Sequence, residues 1–579
     1  MSDENKTRRP YAPRMSPHQT YEVINSYVVF WGLFFSVLFA LAVGYLCLKI
    51  GQTVDAFAPV SVLAMGMAVL FHRRNAFPET VHIQAIASAG TNIIGGAMFI
   101  LPALYILNIE DVSFLEMAIP IVLGGVLGVF LATVFRRYFC EEMDGVYPFP
   151  SGSAAAEVLE SDEGSKAHIM LVSGAVALVY DFVLNSRGWW QELLTTTTFH
   201  WGQVLADKYK LVFSLDNDAA LLGIGMLAMS GIIGLLSMSG VVVRVVKRAV
   251  ADLFSKGASS SGMLLRTQQD LPMTQIVFGS LLMTILFAVF FHVMCAESLT
   301  QTVIAFVLVM LFALMLSVVG ISSIAFTGNE PVSGMTIFMI IVSAVVMGGA
   351  GMAGKTGIIA ILMMAAFLCA TLAVSGNFMS ELKVAYITGA TPKKMQQWQL
   401  VSIVLAGVVS VGVVFLMHHA YGFTGEGALA APQANAMAAI VKPMMDGGDA
   451  PWPLYMAGAF FAVLLWMMKI PPLAFALGSY LPMGINTPVL VGGLISYFVS
   501  HSSDDAKVNA KRLSEGNTVA SGFVAGGAIG SLISAVLHIA GIDWFAKAWA
   551  ASPAATFAGI VAYFVLCIFL YAMAKRAVK

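Results

Sequence analysis

Two carboxylates stand in segments where acidic side chains are unusual. Glu157 belongs to the Pro-led segment YPFPSGSAAAEVL (147–159), and Glu330 directly precedes Pro331 in TGNEPVSG. Both segments adjoin long apolar runs, where an ionisable group is costly unless it binds a proton or another charged group. We predict both carboxylates as proton-coupling groups, and Glu330 also as a binder of a cationic group. The alternative for Glu157 is an ordinary carboxylate at the cytoplasmic end of its segment. The alternative for Glu330 is a loop carboxylate near a helix N-terminus, where it complements the helix dipole.

Neutral polar side chains also lie within the apolar segments of the chain. Gln84 and Asn92, with Ser88 and Thr91 between them, fall on one face of a Gly-rich helix. Such groups bind a ligand or form hydrogen bonds between helices, and both interpretations stand. The predicted binding set also includes polar residues of the other distinctive segments: Ser151, Ser153, Asn377, Tyr386, Gln433, Asn435 and Asn486.

Two charged residues share the stretch before the loop GATPKK. Glu381 and Lys383 are two residues apart, so they do not share a helix face, and each can meet another helix or a ligand. Asp181, in ALVYDFVL, is a lone carboxylate near the end of an apolar run. Snorkelling towards the membrane surface or capping of a helix accounts for Asp181.

Motifs of enzymes and metal proteins are missing from the sequence. The five cysteines are widely separated and form no cluster with histidine, which argues against a disulfide framework or a structural zinc site. The sequence contains no GxxxxGK[ST] loop for ATP, no HExxH and no GxSxG. We therefore predict no cofactor, no bound metal and no enzymatic activity.

The composition indicates which elements carry these residues. Hydrophobic residues make up 59% of the 579 residues and charged residues 11%, and the mean hydropathy is +0.84. A soluble chain has roughly 25% charged residues, so lipid is the main solvent here. Unbroken apolar runs of helical length predict an all-α polytopic protein with about 14–16 transmembrane helices. The 31 basic and 32 acidic residues provide no basic patch for nucleic acid.

Two segments are too short or too polar for simple spans. Residues 147–159 and 430–444 both contain a proline followed by small and polar residues. They are predicted as half-helices or re-entrant segments packed inside protein. Similar segments recur about 272 and 282 residues apart, judged from Pro59 and Pro331 and from Pro150 and Pro432. Two related halves are typical of secondary transporters. The predicted division is a tail of residues 1–24 and membrane halves of residues 25–298 and 299–579.

Clusters of Lys and Arg indicate the orientation. The tail contains Lys6, Arg8 and Arg9, and further basic pairs follow several apolar runs. By the positive-inside rule these clusters are cytoplasmic, so both termini lie in the cytoplasm and the number of crossings is even. The tail lacks the apolar core of a signal peptide. We expect a multi-pass protein of the plasma membrane.

Five motifs, in order along the chain, resemble the oligopeptide transporter family, which includes the yellow-stripe-like metal–chelate transporters. They are QAIASAGTNIIGGAMFILPALYIL, FPSGSAAAEVLESDEGSKA, GNFMSELKVAYITGATPKKMQQWQ, LGSYLPMGINTPVLVGGLISYF and KRLSEGNTVASGFVAGGAIGSL. The resemblance implies a proton-coupled secondary transporter that imports small peptides by alternating access, in a bacterial inner membrane and as a homodimer. Bacterial members often have Glu where this chain has Ser151, so the coupling group must lie elsewhere.

Other functions remain to be weighed against peptide import. The nearest alternative is import of metal bound to a small chelator, as in the yellow-stripe-like branch. A membrane-embedded enzyme needs a catalytic constellation that the sequence does not contain. A channel needs a repeated selectivity ring, and two nonidentical halves suit alternating access better.

Overall fold

The protein is described by a computed structural model. It describes residues 13–576 apart from residues 22, 52, 54–56, 74, 145–146, 148, 161–163, 210, 224–264, 328–331, 426–427, 447–451, 469–474, 476–482, 541, 543, 545 and 551. The prediction of an all-α protein is confirmed, because helices dominate and the strands within these residues form a single short hairpin.

The elements follow one another along the chain with few strands among them. The helices are α1 Ser26–Ile50, α2 Phe57–Leu70, α3 Ala76–Ala87, α4 Ala89–Asn92, α5 Ile94–Met98, α6 Pro102–Ile106, α7 Phe114–Arg136, α8 Pro150–Glu160, α9 Gly164–Arg187, α10 His200–Tyr209, α11 Met273–Met294, α12 Leu299–Thr327, α13 Val332–Gly349, α14 Gly354–Thr388, α15 Pro392–Tyr421, α16 Pro432–Met445, α17 Trp452–Met467, α18 Met483–Ser500, α19 Ala506–Ile539, α20 Lys547–Ala550 and α21 Pro553–Arg576. A π-helical turn, Arg137–Glu142, continues α7, and single 3₁₀ turns lie at Thr196–Thr198 and Arg266–Gln268. The strands β1 Leu193–Thr195 and β2 Ser214–Asp216 pair antiparallel, with Leu194 opposite Leu215.

The chain forms two compact units. Unit 1 comprises Met1–Asp162, Met238–His418 and Phe423–Trp452, and unit 2 comprises Glu163–Ser237, His419–Gly422 and Pro453–Lys579. Unit 1 thus contains α1–α8 and α11–α16, apart from the end of α15, whereas unit 2 contains α9, α10, the hairpin and nearly all of the last five helices. The predicted division at residues 298 and 299 concerns duplicated halves and stays a prediction.

Local sequence explains where the long helices begin and end. Asn25 caps α1 by accepting a hydrogen bond from the amide of Val28, and Gly51 ends α1 with a left-handed φ of +70°. Ser113 and Glu116 form a reciprocal capping box at the start of α7. These caps satisfy backbone groups that would otherwise lack partners at helix ends.

Within the described residues, eight helical stretches are long and apolar enough to cross a membrane, by length and composition. They are Ser26–Lys49, Ala76–Ile106, Phe114–Glu142, Arg266–Met294, Leu299–Ala325, Gly354–Thr388, Pro392–Tyr421 and Pro553–Arg576. The predicted total of about 14–16 spans stays a prediction. Helix α14 continues to Thr388, and the candidate span Ala76–Ile106 is divided among four helices, α3 to α6.

That divided stretch, α3 to α6, is the most irregular part of unit 1. Regular α-helix is interrupted at Ser88 and Ile93 and between Phe99 and Leu101, and nearly all side chains of the stretch are buried. Glycine permits close packing here: a Cβ at Gly90 would lie 2.0 Å from the carbonyl oxygen of Ser36 in α1. Irregular backbone of this kind is tolerated in a membrane only inside protein.

The two predicted half-helices are present as α8 and α16. Each begins at proline, and the residue before it has a left-handed backbone, with φ of +42° at Phe149 and +35° at Ala431. The amide of Phe149 donates to the carbonyl of Ala325 near the end of α12, and that of Ala431 donates to Leu48 near the end of α1, both at 2.9 Å. The chain therefore enters both half-helices in the same way.

The surroundings of α8 and α16 mirror each other within unit 1. Helix α8 packs against α2, α14 and the end of α12, whereas α16 packs against α13, α6 and the end of α1. If α1 corresponds to α12, α2 to α13 and the stretch α3–α6 to α14, these two sets of neighbours are equivalent. Both half-helices are packed inside protein, with Gly152 and Leu159 of α8 and Gln433 and Val441 of α16 buried.

Unit 2 is organised around the close contact of α9 with α19. A Cβ at Gly526 would lie 2.0 Å from the carbonyl oxygen of Gly174. Asp181 of α9 is fully buried and accepts a hydrogen bond from the amide of Ala219 at 3.1 Å, where another helical stretch begins. The hydrogen bond from the Ala219 amide agrees with the prediction that the Asp181 side chain caps a helix.

Part of the polar N-terminal tail is packed onto unit 1. Met15 is buried, and its amide donates to the carbonyl of Thr388 at the end of α14. The guanidinium of Arg266 donates to the carbonyls of Ser16 and Gly389 and to the hydroxyl of Thr391. Arg266 therefore joins the tail to the loop between α14 and α15.

Candidate functional site

Gln84 and Asn92 lie deep inside unit 1, in the divided stretch. Their side chains are 0% and 1% exposed, and within the described residues none of their amide nitrogen or oxygen atoms has a hydrogen-bond partner. Ser88 and Thr91, on the same stretch, donate their hydroxyls to backbone carbonyls. A buried amide without partners loses its hydration with nothing in return, which marks a place for a ligand or water.

Ser151 and Ser153 lie in the first turn of α8, and both side chains are half-buried. The close approach of α8 to α14 depends on the glycine between them, since a Cβ at Gly152 would lie 2.9 Å from the carbonyl oxygen of Ser380. Glu157 lies further along α8, but its side chain is outside the described residues, and so is Glu330. The coupling role of these two carboxylates stays a prediction.

Helix α14 carries Asn377, Glu381, Lys383 and Tyr386. Asn377 and Glu381 are buried, at 4% and 0% exposure, whereas Tyr386 is half-buried. The ammonium of Lys383 donates to Asp144 Oδ1 at 2.6 Å and to the carbonyl of Cys140 at 3.1 Å. The hydroxyl of Tyr386 donates to Asp144 Oδ2 at 3.4 Å. Asp144 therefore accepts hydrogen bonds from both Lys383 and Tyr386 of α14.

The second half-helix places Gln433 and Asn435 near the end of α1. Gln433 is buried and donates its amide to the carbonyl of Gly51 at 3.1 Å. Asn435 is half-buried and donates to the carbonyl of Ala430 at 2.8 Å. Both amides therefore hold the entry of α16 in place.

Asn486 belongs to a different unit from the other described members of the predicted set. It lies in α18 and belongs to unit 2, whereas Gln84, Asn92, the α8 serines and the α14 and α16 residues belong to unit 1. A ligand site assembled within unit 1 alone would not contain Asn486.

Sequence analysis missed a buried charged network beside α7. Arg136 belongs to one of the basic pairs that follow apolar runs, which are predicted only to mark the cytoplasmic side. It is 1% exposed and lies 2.5 Å from Asp270 and 2.8 Å from Glu141. Gln396 of α15 donates to Asp270 Oδ1 at 2.6 Å. Because Arg136 and Asp270 are far apart in sequence, only the position of Arg136 at a span end hinted at this role.

A second missed residue is Gln399 of α15. It is fully buried, and both atoms of its amide lack a hydrogen-bond partner within the described residues. At the start of α14, Lys355 forms an ion pair with Asp111 in the loop before α7, and this hydrogen bond lowers the pKa of the Asp111 carboxyl from its ordinary value. In the part of the chain that the structure describes, no group of three His, Cys, Asp or Glu side chains could hold a metal ion.

Comparison with known families decides the identity of this arrangement. The sequence model described as OPT oligopeptide transporter protein matches residues 23–243 and 215–538. The chain belongs to the oligopeptide transporter family. This confirms the family predicted from the five motifs, and it makes the chain a many-spanning membrane transporter.

Two members show how far the similarity extends. A Haemophilus influenzae protein named "Putative oligopeptide transporter" is 22% identical over 596 residues, which covers 86% of this chain and 93% of the relative. An Arabidopsis thaliana protein named "Probable metal-nicotianamine transporter YSL5" is 30% identical over 187 residues, or 29% of this chain and 25% of the relative. The likeness to the first protein spans nearly the whole chain, whereas the likeness to the second is local.

Proposed function

We propose that this protein is a secondary active transporter that imports small peptides, driven by protons, by alternating access. The observation that supports this most is the pair of Pro-led half-helices, α8 and α16, packed inside unit 1 with similar entries and mirrored neighbours. Broken helices in corresponding positions of two halves are the usual substrate-binding architecture of secondary transporters.

The choice of peptide follows from the comparisons. The Haemophilus relative, which is named an oligopeptide transporter, matches this chain over 86% of its length. Buried amides suit peptide groups, because each amide side chain offers both a donor and an acceptor. The proposed binding set is the one predicted from the sequence: Gln84, Asn92, Ser151, Ser153, Glu330, Asn377, Tyr386, Gln433, Asn435 and Asn486.

Two related halves complete the proposal. Segments of unit 1 and segments of unit 2 alternate along the chain. A duplicated chain would produce this alternation, together with the mirrored neighbours of α8 and α16. The division into halves of residues 25–298 and 299–579 stays part of this proposal, and the mirrored neighbours of α8 and α16 support it.

The second candidate is import of a metal–chelator complex. It is favoured by the local similarity to the Arabidopsis protein, whose name describes metal–nicotianamine transport. A metal–chelator complex arrives already coordinated, so this substrate requires no metal ligands from the protein.

Competitive uptake tests the substrate directly. Proteoliposomes with an imposed pH gradient should accumulate radiolabelled trialanine, and unlabelled peptides of two to five residues should compete with it. A zinc–nicotianamine complex should not compete. Accumulation of the zinc complex with no effect of any peptide would contradict peptide import and support the second candidate.

Orientation and assembly belong to the same proposal. We expect a multi-pass protein of a bacterial inner membrane, with both termini in the cytoplasm and two copies forming a homodimer. Native mass spectrometry from mild detergent should show the dimer. A monomer at all detergent concentrations would contradict this part of the proposal alone.

A further inference from the structure

Lys383 is a buried cation near the end of α14, inside a candidate membrane span. It is 4% exposed, and its ammonium donates to Asp144 Oδ1 at 2.6 Å and to the carbonyl of Cys140 at 3.1 Å. Cys140 lies in the π-helical turn after α7, and Asp144 follows that turn on the way to the half-helix α8. Lys383 therefore ties the connection between α7 and α8 to α14.

The energetics of this ion pair favour a role in position over a role in stability. Attraction between two charges inside protein is largely offset by their loss of hydration, so that a buried pair is weak evidence for stability. Hydrogen bonds from one ammonium to two acceptors are directional, however, and they allow little displacement of the groups that accept them. The pair of Lys383 with Asp144 thus fixes where the connection lies on α14.

Aromatic rings continue this link to the beginning of α8. The ring of Tyr147 lies 5.2 Å from that of Phe139 in the π-helical turn and 6.3 Å from that of Phe149. Phe149 is fully buried directly before Pro150, the first residue of α8, and the ammonium of Lys383 lies 5.7 Å from its ring. Packed rings transmit a displacement, so the anchor at Lys383 extends to the entry of α8.

The first turn of α8 also packs directly on the same part of α14. A Cβ at Gly152 would lie 2.9 Å from the carbonyl oxygen of Ser380, which precedes Lys383 by three residues. The packing of α8 and the anchor of its preceding connection therefore meet within one turn of α14. Ser151 and Ser153, on either side of Gly152, belong to the proposed binding set.

We propose that Lys383 is a positioning residue for peptide binding, because its contacts with Asp144 and Cys140 hold the first turn of α8 in the place where that turn meets the substrate. The inference rests on the proposed import of peptides and adds how the protein sets its affinity for them. In this role Lys383 acts through α8 and not by contact with the peptide. Glu157 and Glu330 remain the predicted proton-coupling groups.

The test measures binding of trialanine by calorimetry on the full-length protein in detergent. Lys383→Met should raise the dissociation constant about tenfold, because a binding site loses affinity when the groups that hold its residues in place are removed. The fraction of protein that binds should equal that of the wild type. A merely structural role would instead lower this fraction and leave the dissociation constant of the folded protein unchanged.

The matched control is Lys355→Met on the same helix. Lys355 also pairs with an aspartate, Asp111, but these two side chains are 52% and 68% exposed, and the pair lies at the opposite end of α14 from Lys383. Lys355→Met should bind trialanine with the affinity of the wild type. Wild-type affinity in Lys383→Met as well, or equal weakening by both variants, would overturn the positioning role.

Asp144→Asn breaks the same ion pair from its other side. Asp144 is 40% exposed, so this variant decides the question if Lys383→Met does not fold. It should weaken trialanine binding by a similar factor. The double variant should bind no more weakly than Lys383→Met, because both changes remove one shared contact. Wild-type affinity in a folded Asp144→Asn, or additive weakening in the double variant, would refute the inference.

The wild type separates the two proposals. Binding of trialanine by the wild type with unchanged affinity in Lys383→Met would overturn the positioning role while peptide import stood. A wild type that binds no trialanine would overturn peptide import, and the role of Lys383 with it.

Discussion

A side chain that couples protons to transport must gain and lose its proton as the protein changes state. Glutamine resembles the protonated form of Glu157 but cannot release a proton. We expect Glu157→Gln to abolish accumulation of peptide driven by a pH gradient while keeping substrate binding and exchange. Proteoliposomes with matched protein content provide the measurement.

The corresponding variant of the second half serves as the comparison. Normal accumulation by Glu157→Gln together with an inactive Glu330→Gln would transfer the coupling role to Glu330. Normal accumulation by both variants would exclude coupling by either carboxylate.

Arg136 shows how strongly a single buried charge can bind distant segments. Removal of the guanidinium in Arg136→Met leaves the partly exposed Asp270 and Glu141 without their cation, which should lower the free energy of unfolding by about 1.5–3 kcal/mol. Thermal unfolding in detergent measures this loss. The control is Arg137→Met, because Arg137 is 69% exposed and its pairing with Glu142 at 3.5 Å is a surface contact. Equal melting temperatures for both variants would show that the buried network does not stabilise the fold.

At the scale of the element, the entries of α8 and α16 carry backbone strain. Ala431 has φ of +35°, a conformation that is unfavourable for a residue with a Cβ and accessible to glycine. Ala431→Gly should therefore stabilise the protein by about 1 kcal/mol and raise its melting temperature. Ala434→Gly, in the buried interior of α16, should instead lower it. A decrease for both variants would mean that the entry of α16 is unstrained.

The two half-helices also link the proposed halves of unit 1. Helix α8 contacts the end of α12, and α16 contacts the end of α1, so each half-helix is held by a long helix from the other half. A movement of either half-helix must therefore alter the other half as well. This reciprocal contact is a physical basis for coupling between the two sides during alternating access.

For the whole molecule, the positive-inside rule makes a prediction about orientation. Single cysteines at Asn5 and Val578 should be inaccessible to a membrane-impermeant maleimide in intact cells, and a cysteine at the exposed Glu110 should react. Background labelling should be low, since Cys47, Cys140, Cys295 and Cys369 are buried and Cys567 is half-buried. Permeabilised cells provide the control, in which all three positions react. Labelling of either terminus in intact cells would reverse the proposed orientation.

The sequence by itself was enough to predict a protein embedded in lipid, its all-α fold, its family and the two half-helices α8 and α16. Hydropathy and the positions of Pro150 and Pro432 are local properties, and lipid requires helices whose backbone groups are satisfied within each segment. These features could therefore be predicted without knowledge of any contact between segments. The predicted binding residues Gln84, Asn92, Asn377 and Gln433 lie in segments that the structure buries within unit 1.

Only the tertiary structure decided which polar groups meet. It divided the stretch Ala76–Ile106 into four helices, paired Arg136 with Asp270 and Lys383 with Asp144, and assigned Asn486 to unit 2. None of these outcomes follows from spacing along the chain, because a charged or amide side chain inside a membrane protein takes whichever partner the packed helices bring near it. The energy of such a group depends on three-dimensional proximity in a medium without water, and sequence encodes that proximity only through the complete fold.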